Sequence, residues 1–98
     1  MIRNFANKTA QEVWENEGSK ILPQEFWIRA KALLTIMHAT SDLNDLKIQG
    51  QPPNVRLDKL KGDRKDEWSL TVKLPWCITF KFRNGESLDV KIENYHKG

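Results

Sequence analysis

From Val55 to Ile92 the apolar residues recur at every second position within short runs. Val55 and Leu57 alternate with Arg56 and Asp58; Trp68, Leu70 and Val72 with Ser69, Thr71 and Lys73. Trp76, Ile78, Phe80 and Phe82 alternate with Cys77, Thr79, Lys81 and Arg83; Leu88, Val90 and Ile92 with Asp89, Lys91 and Glu93. A period of two is that of a strand with one apolar and one polar face, so the second half predicts four half-buried strands. Their apolar face needs a cover, and the first half of the chain has to provide it.

That half reads as helical. Thr9-Ala10-Gln11-Glu12 has capping-box spacing, Ala10, Val13 and Trp14 share a face, and Gly18 is a stop signal. A second helix is expected from Pro23, a residue favoured in a first turn, to about Thr40. Its stripe is Phe26, Trp27, Ala30, Leu33, Leu34 and Met37, at spacings of three and four. Ile2 to Phe5 reads as a short strand, and residues 47–54, with Gly50, Pro52 and Pro53, as a loop. The expectation is an α+β fold in one domain over residues 1–98: a short N-terminal strand and a two-helix hairpin on a curved antiparallel sheet. A chain of 98 residues, 39% hydrophobic and 30% charged, can bury a core without metal or disulfide. Cys77 is the single cysteine, as suits a reducing cytosol. No stretch reaches the roughly 20 apolar residues of a membrane span, and the start has no signal-peptide run, so a soluble cytoplasmic protein is expected.

Asn84-Gly85 marks a hairpin. A two-residue turn would set Phe82 opposite Ser87, apolar against polar. A three-residue loop with Gly85 left-handed would pair Phe80 with Leu88, Ile78 with Val90 and Trp76 with Ile92. The Lys73-Leu74-Pro75 loop likewise sets Leu70 opposite Ile78. The polar face then carries a row of Thr71, Cys77 and Lys91.

Three clusters could carry chemistry. Lys59 to Lys65 is a basic loop between strands, either a solvated turn or a phosphate-binding loop; with Lys81 and Lys91 on the polar face, its Lys59, Lys61, Arg64 and Lys65 are the candidate RNA-binding cations. The net charge of +3 is a mild pointer in the same direction. The C-terminal Glu93-Asn94-Tyr95-His96 brings two proton-transfer side chains, as metal-free RNA cleavage needs. Cys77 with His38 is the third, a conceivable nucleophile and base. Cys77 lacks an activating motif, however, and His38 ends a core-facing helix, so structural roles are expected. The histidines and cysteine have no metal-ligand spacing, and no Gly-rich phosphate loop occurs, so neither metal nor cofactor is expected.

The run Pro52-Pro53-Asn54-Val55-Arg56-Leu57-Asp58-Lys59-Leu60-Lys61-Gly62-Asp63-Arg64, followed by Trp68-Ser69-Leu70, resembles the central motif of HigB-type toxins in the RelE/ParE superfamily. The opening Met1-Ile2-Arg3-Asn4-Phe5, the piece Ala39-Thr40-Ser41-Asp42-Leu43-Asn44-Asp45-Leu46 and the end Asp89-Val90-Lys91-Ile92-Glu93-Asn94-Tyr95-His96 resemble that family's motifs in the same order. The resemblance implies a RelE-like fold and cleavage of messenger RNA in the ribosomal A site; because the chain offers cations and proton donors but no metal cluster, that cleavage is expected to be metal-independent. It also implies a HigA-like helix-turn-helix antitoxin, with operator DNA reached only through the antitoxin complex. By position, the family's functional residues would be Asp58, Lys61, Cys77, Asn94, Tyr95 and His96. Lys61, Tyr95 and His96 match the family pattern. Asp58 stands where some members have His and others an acid, Asn94 where Asp is usual, and Cys77 where the family shows Arg. Two rivals are a gyrase-binding poison of the ParE kind and an attenuated member acting as antitoxin partner or co-repressor. Tyr95-His96 favours the nuclease, since a pure binder needs no proton-transfer pair.

Overall fold

A computed structural model describes residues 1–16, 18–43, 57–73 and 75–94. Helix α1 spans Lys8–Asn16 and α2 Gln24–Ala39. Strands β1 (Leu57–Lys59), β2 (Glu67–Lys73), β3 (Trp76–Arg83) and β4 (Glu86–Asn94) form an antiparallel sheet in the order β1-β2-β3-β4. No helix among the described residues is long and apolar enough to cross a membrane.

The two periodicities meet in one core. Val13 of α1 and Ala30, Leu33, Leu34 and Met37 of α2 pack on Leu70, Val72, Ile78, Phe80, Val90 and Ile92 of the sheet. Phe26, Trp27, Trp14, Trp68 and Trp76 close its margin, half-buried. Burying each large side chain contributes about 1.5–3 kcal/mol. The expected α2 stripe and the pairing of Leu70 with Ile78 are both present.

Helix α1 starts differently from the capping-box expectation. The cap is Asn7, whose Oδ1 accepts from the Ala10 amide at 3.1 Å, while Thr9 lies buried inside the helix. Asn7 also donates to the Ile92 carbonyl at 2.9 Å, so one side chain both caps α1 and fastens it to β4. The N-terminal segment runs parallel to the β4 edge through bridges Ile2↔Ser87 and Phe5↔Val90, rather than as a continuous strand.

The expected β3–β4 register is overturned. Asn84 and Gly85 both have positive φ, 52° and 78°, and form the two-residue turn, with Arg83 opposite Glu86 and Phe82 opposite Ser87. Lys81 then faces Leu88, and a bulge restores the parity, so that Thr79 faces Lys91, Ile78 faces Ile92 and Trp76 faces Asn94. The extra residue belongs to β4, where Asp89 has φ 51°. The proposed pairs Phe80–Leu88, Ile78–Val90 and Trp76–Ile92 do not occur, although Ile78 and Phe80 stay fully buried on the apolar face.

Candidate functional site

The bulge decides which residues share the polar face. One row across the sheet is Asp58–Ser69–Thr79–Lys91. The next is Thr71–Cys77–Glu93, with Glu93 in the place the sequence reading gave to Lys91. A third is Glu67–Lys81–Leu88. Small or pinned side chains fill the middle of this face: Ser69, Cys77 and Thr79 are fully buried, and Thr71 and Glu67 nearly so.

Over these rows lies Arg64, from the short 3-10 turn Gly62–Arg64 that connects β1 to β2. Its Nε and Nη2 donate to the Glu67 carboxylate at 3.0 and 2.9 Å. Its Nη1 and Nη2 donate to Glu93 at 3.0 and 2.7 Å, and Nη2 also reaches the Thr79 hydroxyl at 3.3 Å. Thr79 in turn donates to Glu93. The planar five-donor fork suits such paired bidentate contacts, which a lysine could not make. Hydrogen bonds to Glu67 and then Glu93 hold the guanidinium even more firmly protonated than usual. The same contact from Arg64, helped by Thr79 and opposed by burial, pulls the Glu93 carboxyl below the ordinary carboxylate range.

The sequence-predicted cations are therefore divided. Lys91 stands 3.8 Å from Glu67, and Lys81 lies between Asp66 at 3.7 Å and Asp89 at 3.6 Å. Lys59 belongs to the opposite parity, beside Trp68, with its ammonium 4.6 Å from the ring centre. Lys61 and Lys65 are exposed on the loop. Asp58 is half-buried opposite Ser69, and Asn94 is exposed at the end of β4. Cys77 is buried, its thiol 3.9 Å from the Pro75 carbonyl. His38 accepts from the Ile2 amide and packs against Trp14, so the Cys77–His38 pair shares no partner. Tyr95 and His96 lie outside the described residues.

Sequence reasoning missed the carboxylates. Glu67 has the parity of Ser69 and Thr71, which marks it as a polar-face residue, and it stands three positions after Arg64. That spacing was the available signal. The described residues thus form a face of matched charges, anchored by Arg64 and edged by the exposed Lys61 and Lys65. Such a face can fix loop and strand geometry and present cations to a polyanion at its rim.

Comparison with known proteins adds two findings. A family model for the HigB-like toxins, RelE-like toxins of the type II toxin–antitoxin system HigB, matches residues 3–96. Endoribonuclease HigB of Proteus vulgaris is 31% identical over 96 residues, which is 98% of this chain and 100% of that relative.

Proposed function

This chain belongs to the HigB-like family of RelE-like toxins of type II toxin–antitoxin systems, and from that premise we propose that it is an endoribonuclease that cuts translated messenger RNA in the ribosomal A site. The observation that carries the reading is similarity over essentially the whole length of a relative named endoribonuclease. The family match also extends to His96, so the Tyr95-His96 pair falls inside it.

The chemistry follows from RNA itself. The 2′-oxygen attacks the adjacent phosphorus, its proton passes to a base, and the 5′-oxygen leaves with a proton from an acid. Tyr95 and His96 are the proposed proton-transfer groups, and Asn94 and Asp58 are proposed as further polar residues of the site. Lys61 on its exposed loop is the proposed phosphate cation, backed by Lys65. The ribosome contributes alignment of the scissile step, an effect that can reach about 10⁵ M in effective concentration. With proton transfer assigned to side chains and phosphate charge to lysines, the proposed reaction is metal-independent. As a type II toxin the protein has an antitoxin partner. The proposed one is a HigA-like helix-turn-helix protein that alone carries the complex to operator DNA, and the proposed place of action is the cytoplasm.

Primer-extension mapping on programmed ribosomes tests the reading. Cuts inside translated codons are expected, unaffected by chelators of transition metals at constant magnesium and lost by about 10²-fold or more in His96→Gln. Equal cutting of naked RNA would overturn ribosome dependence. DNA damage without RNA cuts would identify a gyrase poison, and absence of any growth effect an attenuated antitoxin partner.

A further inference from the structure

Lys61 and the C-terminal segment belong to different parts of the chain, and a reaction that uses both needs a fixed relation between them. Arg64 lies three residues after Lys61, and Glu93 comes immediately before Asn94, Tyr95 and His96. The Arg64 fork joins those two places directly, through paired contacts to Glu93 and a second pair to Glu67 at the start of β2. The loop it leaves is itself braced. Leu60 donates its amide to the Glu67 carbonyl at 3.0 Å, Arg64 to the Lys61 carbonyl at 3.4 Å, and Lys65 to that of Gly62 at 3.3 Å. We propose that Arg64 is a positioning residue of the nuclease, which holds the Lys61 loop at a set distance from the end of β4, and that it is not itself a phosphate ligand. The proposal rests on the nuclease reading above.

The contact geometry separates the two roles. A phosphate could take a paired edge of the Arg64 fork only by displacing Glu67 from the Nε/Nη2 edge or Glu93 from the Nη1/Nη2 edge, carboxylates whose side chains are 11% and 25% exposed. The displaced carboxylate would then lose its paired Arg64 contact and stand part-buried against the incoming phosphate, a cost that the new ion pair has to offset before it gains anything. Lys61, exposed and three residues away, meets no such obstacle. Misplacement of a reacting group by about 1 Å can cost about 10²-fold in rate, so a strut of this kind acts on the maximal rate rather than on binding.

Single-turnover cleavage of ribosome-bound message is to be measured for the parent, Arg64→Gln, Arg64→Lys, Glu93→Gln and Lys61→Gln, with ribosome concentration and salt varied. Arg64→Gln and Glu93→Gln are expected to lower the saturated rate by at least about 10-fold while half-saturation and its salt dependence match the parent. Arg64→Lys should fail to rescue, because an ammonium cannot bridge two carboxylates in paired geometry. Lys61→Gln should weaken binding and reduce the salt slope by about one phosphate contact. Should Arg64→Gln not fold, Glu93→Gln, which leaves the Arg64–Glu67 pair in place, carries the same test. A weaker, less salt-dependent half-saturation for Arg64→Gln, or full activity in Arg64→Lys, would overturn the proposal and make Arg64 a phosphate ligand. A parent protein that cuts no ribosome-bound message would instead bring down the nuclease reading, and this inference with it.

Discussion

Asn4 holds the Asp89 bulge from both sides: its Nδ2 donates to the Asp89 carboxylate at 2.8 Å, and its Oδ1 accepts from the Asp89 amide at 3.1 Å. This contact offsets the left-handed φ of Asp89 and so supports the register that brings Glu93, rather than Lys91, opposite Cys77. Asn4→Ala removes both bonds at an exposed site and is expected to destabilise the fold by about 1 kcal/mol. Asn4→Asp keeps the acceptor but sets a second carboxylate against Asp89 and should cost as much or more. Urea unfolding of the three proteins at neutral pH is the check; an Asn4→Ala midpoint equal to that of the parent would show that the bulge stands without this clamp.

Gly85 is the second support of that register. Its φ is 78°, and a Cβ there would approach the Ser41 carbonyl oxygen to 3.1 Å. Its own carbonyl accepts from the Met1 amino group at 3.2 Å, so the turn also secures the chain start. Gly85→Ala therefore meets both a backbone penalty of about 1–2 kcal/mol and a crowded carbonyl. The expected result is a loss of at least about 1 kcal/mol in unfolding free energy, larger than for alanine at the exposed Arg83.

The elements were legible where a short repeat produced them. Ala30, Leu33, Leu34 and Met37 identify the buried side of α2 by spacing alone, and the alternation from Trp68 to Phe82 identifies the sheet. The bulge was not legible, because the residue that stabilises it is 85 positions away in the chain. The cap of α1 was misread for a similar reason: Asn7 is held by its contact to Ile92, a tertiary bond that outweighs the local Thr9–Glu12 pattern. At the site, charge was visible and pairing was not. Arg64 and Lys81 read as free cations until folding brought Glu67, Glu93, Asp66 and Asp89 against them.

Acid stability should report the Glu93 pair. The Arg64 contacts hold the Glu93 carboxyl low, and the Asn4 bond, with Lys81, does the same for Asp89. Both groups bind protons less readily folded than unfolded. Their stabilisation is therefore complete above the unfolded values near pH 4 and is lost as pH falls through the lower folded values. Melting temperature should hold steady down to about pH 5 and then fall, while Glu93→Gln and Asn4→Ala each show a shallower acid limb. Acid limbs as steep as that of the parent in both variants would assign the acid sensitivity to other carboxylates.

Cys77 is fully buried between Thr71 and Glu93, and the sequence resemblance implies that related toxins carry an Arg at its position. An Arg placed there would have its Cβ about 5 Å from that of Glu93 across the strands, close enough for a direct pair. Arg64 and Lys91 already balance Glu67 and Glu93, two positive charges against two negative; a second arginine would leave the cluster with a net of +1. The added fork would thus be partly engaged by Glu93 before any phosphate reached it. Loss of a dedicated oxyanion donor costs about 10²–10³ in rate, so a shared one should restore only part of this, on the order of 10-fold. Cys77→Arg is accordingly expected to cut ribosome-bound message about 10-fold faster than the parent, at matched levels of folded protein, and to arrest growth sooner. Cys77→Ser, which removes the thiol without adding charge, should match the parent rate. Near-ultraviolet circular dichroism would establish that the larger side chain leaves the aromatic core unchanged. A Cys77→Arg protein that folds normally and cuts no faster would show that the missing charge is already provided elsewhere, with Lys61 the first residue to test.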